Sequence, residues 1–137
     1  SPQPLGQTMH GFRILCIDNE PKIVEGMALL MSGWGCEVIQ ARSPAAIEDM
    51  LKTQMLAPDM IVADYHLAEG TGIDLILHLR ERLKAQIPAL LITADRTPEV
   101  RAEAEKHGIG VQHKPVRPAA LRAYVTQVFN TRRAAAE

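Results

Sequence analysis

Aromatic residues make up only 4% of this 137-residue chain: one Trp, two Tyr and two Phe. That is too few to build the stacking platforms on which single-stranded nucleic acids are read. Neither sign of charge is in excess. Fifteen Lys and Arg stand against sixteen Asp and Glu, for a formal net charge of −1, so the electrostatic footprint of a nucleic-acid or anionic-membrane binder is missing. No apolar run approaches the roughly 18 residues of a membrane span, and no basic-then-apolar signal segment opens the chain. The only two cysteines, Cys16 and Cys36, sit among apolar residues, which suits small core side chains in a reduced, cytoplasmic protein. What remains is ordinary globular composition, 47% hydrophobic and 23% charged, at a length that fits one domain.

The segment Ser1-Pro2-Gln3-Pro4-Leu5-Gly6-Gln7 reads as a linker, and a start at serine suggests a piece of a longer protein. Residues 1–11 are expected to be a leader, 12–130 a single folded domain, and 131–137 a short tail.

From Phe12 onward two patterns alternate. Ile14-Leu15-Cys16-Ile17, Met60-Ile61-Val62-Ala63 and Ala89-Leu90-Leu91-Ile92 are continuous apolar runs. Runs without polar alternation suit strands covered on both faces, as in a parallel sheet. Glu37-Val38-Ile39-Gln40 and Ile109-Gly110-Val111-Gln112 are weaker and read as strands nearer the edges. Between them lie helical stripes: Ile23, Met27, Leu30 and Met31 after Pro21; Ala46, Ile47, Met50 and Leu51 after Ser43-Pro44; Ile73, Ile76, Leu77 and Leu83. A short, mostly polar helix opens at Thr97-Pro98, and Leu121, Val125, Val128 and Phe129 mark the last one. The methionines in these stripes read as core filling. Five strands alternating with five helices predict an α/β domain with a mostly parallel sheet.

The polar residues fall where the strands end. The first run gives way to Asp18-Asn19-Glu20-Pro21, the third to Asp64, the fourth to Thr93-Ala94-Asp95 and the fifth to Lys114-Pro115. Open α/β sheets bind ligands beyond the carboxyl ends of their strands, at the point where the strand order reverses. With the order 2-1-3-4-5, Asp18 and Asp64 would converge there, with Thr93 and Lys114 alongside. Two converging carboxylates ask for a cation, and an oxygen-only donor set favours a hard ion such as Mg²⁺. A hydroxyl and an ammonium nearby complete a phosphoryl-binding set. Such a group permits attack of one Asp carboxylate on a phosphoryl donor. Taken singly, each residue has a plainer reading as a helix cap, a turn residue or a surface charge. Their joint placement at strand ends is what points to chemistry.

These residues carry a resemblance. Ile14-Leu15-Cys16-Ile17-Asp18-Asn19-Glu20-Pro21, Asp64-Tyr65-His66-Leu67 with Gly70-Thr71-Gly72, Thr93-Ala94 and Lys114-Pro115 resemble the receiver domain of two-component response regulators, over about Phe12 to Asn130. The resemblance implies a flavodoxin-like, doubly wound five-stranded parallel sheet of order 2-1-3-4-5 with five helices. It implies Asp64 as phosphoacceptor and Asp18 as metal-binding acid. It also implies the backbone carbonyl of His66 as a magnesium ligand, Thr93 as the hydroxyl that turns toward the phosphoryl group, and Lys114 as its ammonium partner. The Lys114–Pro115 bond resembles one that is often cis in this family. The implied cofactor is Mg²⁺. The implied partner is a histidine kinase or histidine phosphotransfer domain, so the domain itself is a phosphoacceptor rather than a conventional enzyme. The face of the fourth helix, fifth strand and fifth helix is the family's output surface and the candidate homodimer surface. No nucleic-acid or membrane contact is expected of this domain.

Two positions depart from the family pattern. Asn19 stands where most receivers carry a second acid; it remains a candidate ligand through its amide oxygen, and weaker metal affinity is expected. Val111 stands where many receivers place a switching aromatic, so a switch would rest on Thr93 and the polar fourth helix. The motifs look most like the C-terminal receiver of a hybrid sensor histidine kinase. A stand-alone single-domain regulator and a pseudo-receiver that no longer accepts phosphate are the alternatives.

Overall fold

A computed structural model describes residues 9–136. Its strands are β1 (Arg13–Ile17), β2 (Glu37–Ala41), β3 (Met60–Asp64), β4 (Ala89–Thr93) and β5 (Gly110–His113), alternating with helices α1 (Pro21–Gly33), α2 (Pro44–Lys52), α3 (Gly72–Leu83), α4 (Pro98–Lys106) and α5 (Pro118–Ala136). All pairings are parallel and the order is β2-β1-β3-β4-β5. The sheet is the doubly wound one expected, with the two weaker runs at its edges.

The continuous apolar runs have a direct structural cause. Leu15, Ile17, Ile61, Ala63, Ala89 and Leu91 face a core shared with α2, α3 and α4, whereas Ile14, Cys16, Met60, Val62, Leu90 and Ile92 face one shared with α1 and α5. Successive residues face opposite sides, and both sides are dry, so no polar alternation survives. Met27, Met31 and Met60 are buried as core filling. Both cysteines are buried free thiols. Burial, reinforced by the charge of Asp18, pushes the Cys16 thiol up to about 12, and burial alone lifts Cys36 to about 11, so neither is a ready nucleophile.

Proline opens α1, α2, α4 and α5, where its missing N–H costs nothing. Ser43 Oγ accepts from Ala46 N–H and Thr71 Oγ1 accepts from Asp74 N–H, both at 3.2 Å, capping α2 and α3. The fourth helix is as sparsely anchored as its sequence implied, burying only Val100 and Ala104.

The packed body reaches past the expected 12–130 span. Met9 is fully buried in the α1–α5 core and its N–H donates to Trp34 O, while α5 continues to Ala136. The linker segment Ser1 to Gln7 lies outside the described residues. Among the described residues no helix is long and apolar enough to cross a membrane.

Candidate functional site at the carboxyl ends of the strands

Asp18 follows directly on β1, and Asp64 is the last residue of β3, its neighbour in the sheet. Ile17 pairs with Ala63, so the two acids leave the sheet at the same level. Both are buried, Asp18 completely and Asp64 with 5% exposure. Two carboxylates in that position need a counter-charge, and Lys114 supplies it from the end of β5. Its Nζ lies 3.0 Å from Asp18 Oδ2 and 3.4 Å from Asp64 Oδ2.

The electrostatics follow from the crowding. Burial, then the charge of Asp18, raises the Asp64 pKa, with Lys114 pulling the other way. Burial works to lower the Lys114 pKa, but hydrogen bonding and charge from Asp18, with charge from Asp64, outweigh it and hold the ammonium above its usual value. For Lys114 the sign means stability that is present below the ordinary lysine range and lost as pH rises through the raised value. For Asp64 it means that folding is favoured when the group is protonated, and that this advantage is lost as pH rises through its raised value. Asp64→Asn is therefore expected to stabilise the metal-free protein at neutral pH by about 1 kcal/mol, or about 3–5 °C in Tm. Thermal melts in chelator at pH 7 and pH 4 check it. A drop in Tm at pH 7, or a gain that fails to shrink at pH 4, would contradict the assignment.

Backbone and loop details fix these groups. Asp18 Oδ1 accepts from Glu20 N–H at 2.9 Å, whereas the buried Oδ2 meets the Lys114 ammonium at 3.0 Å. Thr93 is fully buried at the end of β4, and its Oγ1 accepts from Asp95 N–H at 2.9 Å. Asp95 Oδ1 in turn accepts from Thr97 N–H at 2.8 Å, so Thr93 also shapes the loop that leads into α4. Lys114 N–H donates to Thr93 O, and the Lys114–Pro115 bond is cis. The imidazole of His66 points to solvent, 3.9 Å from Asp95, which leaves its carbonyl as the group of interest. Asn19 is exposed.

Two residues matter more than their sequence context suggests. Glu20, which the following Pro21 marks as a helix start, is indeed the N-cap of α1, yet its side chain caps nothing and its Oε1 lies 3.8 Å from Lys114 Nζ. Gly72 lies against the Asp64 backbone: a Cβ there would stand 2.2 Å from Asp64 O. Its N–H donates to Tyr65 O at 2.8 Å, so the start of α3 is held against the strand end. A glycine at the start of a helix gives no such warning in a sequence.

The donor set suits a hard cation: the buried carboxylates of Asp18 and Asp64 converge on one point, where Lys114 Nζ now stands, and offer oxygen donors. Among the described residues no three His, Cys, Asp or Glu side chains form a ready-made metal cluster. A cation here would have to complete its shell with carbonyl or water oxygens.

Known proteins are similar to this chain in sequence and in fold. The phosphate regulon transcriptional regulatory protein PhoB of Escherichia coli K12 is 30% identical over 119 residues, 85% of this chain and 51% of that protein. The chain thus spans about half the length of this relative. The CAI-1 autoinducer sensor kinase/phosphatase CqsS of Vibrio cholerae is 26% identical over 77% of the chain and 16% of its own length. In structure, a response regulator receiver domain protein of Clostridium thermocellum superposes with a TM-score of 0.78 at 20% identity, covering 89% of this chain and 97% of that one. Residues 14–126 match the family of the response regulator receiver domain. With the strand order, the strand-end acids and this match in agreement, the chain belongs to the response regulator receiver domain family of two-component systems.

Proposed function

We propose that the chain accepts a phosphoryl group on Asp64 from a phosphohistidine of a histidine kinase or histidine phosphotransfer domain. One observation carries this reading: two buried acids at the ends of adjacent strands share the ammonium of Lys114, at 3.0 and 3.4 Å. An Asp64 carboxylate oxygen forms the new bond to phosphorus, and the bond to the donor imidazole nitrogen breaks with its electron pair returning to the ring. Lys114 faces charge on the transferring phosphoryl oxygens. Thr93 Oγ1 accepts from Asp95, which leaves its own proton free to donate to the same group. Mg²⁺, held by Asp18, Asp64 and the His66 carbonyl with Asn19 as a further candidate, would supply the remaining charge neutralisation.

An apolar cleft of about 300 Å³ between Ile23, Met27 and Leu30 of α1 and Pro115-Val116 opens beside Lys114; it supports docking of a partner next to the acceptor. On the far side of Pro115, a cleft of about 490 Å³ is lined by Arg96, by His113 of β5 and by Arg117 before α5; it borders the α4–β5–α5 face, the candidate output and homodimer surface. We assign this domain to the cytoplasm and its parent to the hybrid sensor histidine kinases; the likeness to a sensor kinase/phosphatase supports the parent assignment.

Incubation with a small phosphodonor and Mg²⁺, read by intact mass, is expected to add one phosphoryl group to the wild type and none to Asp64→Asn. A wild type that gains nothing would instead mark a pseudo-receiver.

A further inference from the structure

Asn19 leaves the strand-end site one negative charge short of the two-acid pattern, and the next residue stands beside the shared ammonium. Glu20 Oε1 is 3.8 Å from Lys114 Nζ, the group that also faces Asp18 and Asp64. We propose that Glu20 is the third acid of this site. Acting through water, it provides the charge that Asn19 does not, and it sets the affinity of the site for a divalent cation.

The backbone prepares this role. The Glu20 N–H holds Asp18 Oδ1, so Asp18 is oriented with its other oxygen turned into the site, and the Glu20 side chain leaves the chain next to it. The fully buried Asp18 Oδ2 is met by the Lys114 ammonium at 3.0 Å, which marks this space as one built for positive charge. The Glu20 side chain makes no capping bond and is 65% exposed, so its 3.8 Å approach to the Lys114 ammonium is what ties it to the site.

The charge balance argues the same way. Asp18 and Asp64 against Lys114 leave a single negative charge, too little to neutralise a divalent ion. Adding Glu20 makes it two. The placement also explains why an amide is tolerated at Asn19: the charge has moved one residue along the chain. Attraction to the α1 N-terminus alone would favour a carboxylate here too, so the test must read the cation and not only the fold.

The proposal rests on the strand-end site taking Mg²⁺, and the experiment separates the two ideas. MgCl₂ is titrated into the full chain by calorimetry for wild type, Glu20→Gln, Asn19→Asp/Glu20→Gln and Asp64→Asn. Circular dichroism confirms the fold of each. Glu20→Gln is expected to weaken Mg²⁺ binding about 5- to 10-fold, with the loss shrinking as ionic strength rises. The Asn19→Asp/Glu20→Gln double variant is expected to return to within about twofold of wild type. If Glu20→Gln binds like wild type while Asp64→Asn does not bind, Glu20 has no part and the cation site stands. A double variant that stays weak overturns the charge argument. A wild type that takes up no Mg²⁺ overturns the cation reading, and this proposal with it.

Discussion

Lys114→Met lowers the stability of the metal-free protein by about 3 kcal/mol, roughly 10 °C in Tm. Methionine keeps an unbranched stem of similar length, so packing changes little. What is lost is the charge that lies 3.0 Å from Asp18 and 3.4 Å from Asp64. Exposed ion pairs contribute almost nothing when broken, but here Asp18 is wholly buried and Asp64 nearly so. Neither can recover full hydration, and the charge of Asp18 raises the cost of ionising Asp64. The same logic gives the rescue. Asp64→Asn placed on Lys114→Met removes one of the stranded charges and restores most of the loss. Lowering the pH does the same by protonation. Melts of the single and double variants in chelator decide it: a single variant within about 2 °C of wild type would mean that the ammonium is a bystander.

Gly72→Ala is the second large effect, again about 3 kcal/mol, and its origin is steric. The added methyl would meet a backbone carbonyl, Asp64 O at 2.2 Å, as well as Leu91 Cδ1 at 3.0 Å. A flexible side chain could swing away; a strand backbone paired on both sides cannot. Either α3 lifts off the end of β3, breaking the 2.8 Å bond from Gly72 N–H to Tyr65 O, or Asp64 is displaced. In both cases phosphoryl uptake falls together with stability. Gly26 in α1 is the control, since nothing lies within 4 Å of a Cβ there. Gly26→Ala is expected to gain up to about 1 kcal/mol from helix propensity. Equal effects at the two glycines would show that the close approach at Gly72 is relieved without cost.

The architecture was legible because its signals are local and repeated. Ile14–Ile17, Met60–Ala63 and Ala89–Ile92 are apolar at every position only because a helical layer covers each face, and Pro21, Pro44 and Pro98 mark where helices begin. Asp18, Asp64, Thr93 and Lys114 were legible as candidates because a parallel sheet brings consecutive strand ends to one edge. The remainder depends on what side chains meet across the fold. The burial of Met9 depends on α1 and α5 closing over it, and nothing in the polar run before it announces that. Glu20 carries the features of a helix start and has them, yet its carboxylate faces a lysine 94 positions away. Gly72 stands in a motif that carries the resemblance, but its steric reason shows only when the Asp64 carbonyl beside it is seen.

Tyr124 is another such residue. Its ring occupies the space that a side chain at Gly110 would fill, and its hydroxyl donates to Ala89 O at 3.2 Å. Ala89 opens β4 and Thr93 closes it, so the two ends lie about 13 Å apart at the usual strand rise. One end is latched to the last helix. The other carries the Thr93 hydroxyl and leads toward α4, which buries only Val100 and Ala104. Between them β4 is hydrogen-bonded to β3 and β5 along its length, so the strand stays fixed. A change at the Thr93 end is carried forward through the Asp95 loop into α4 rather than back to α5.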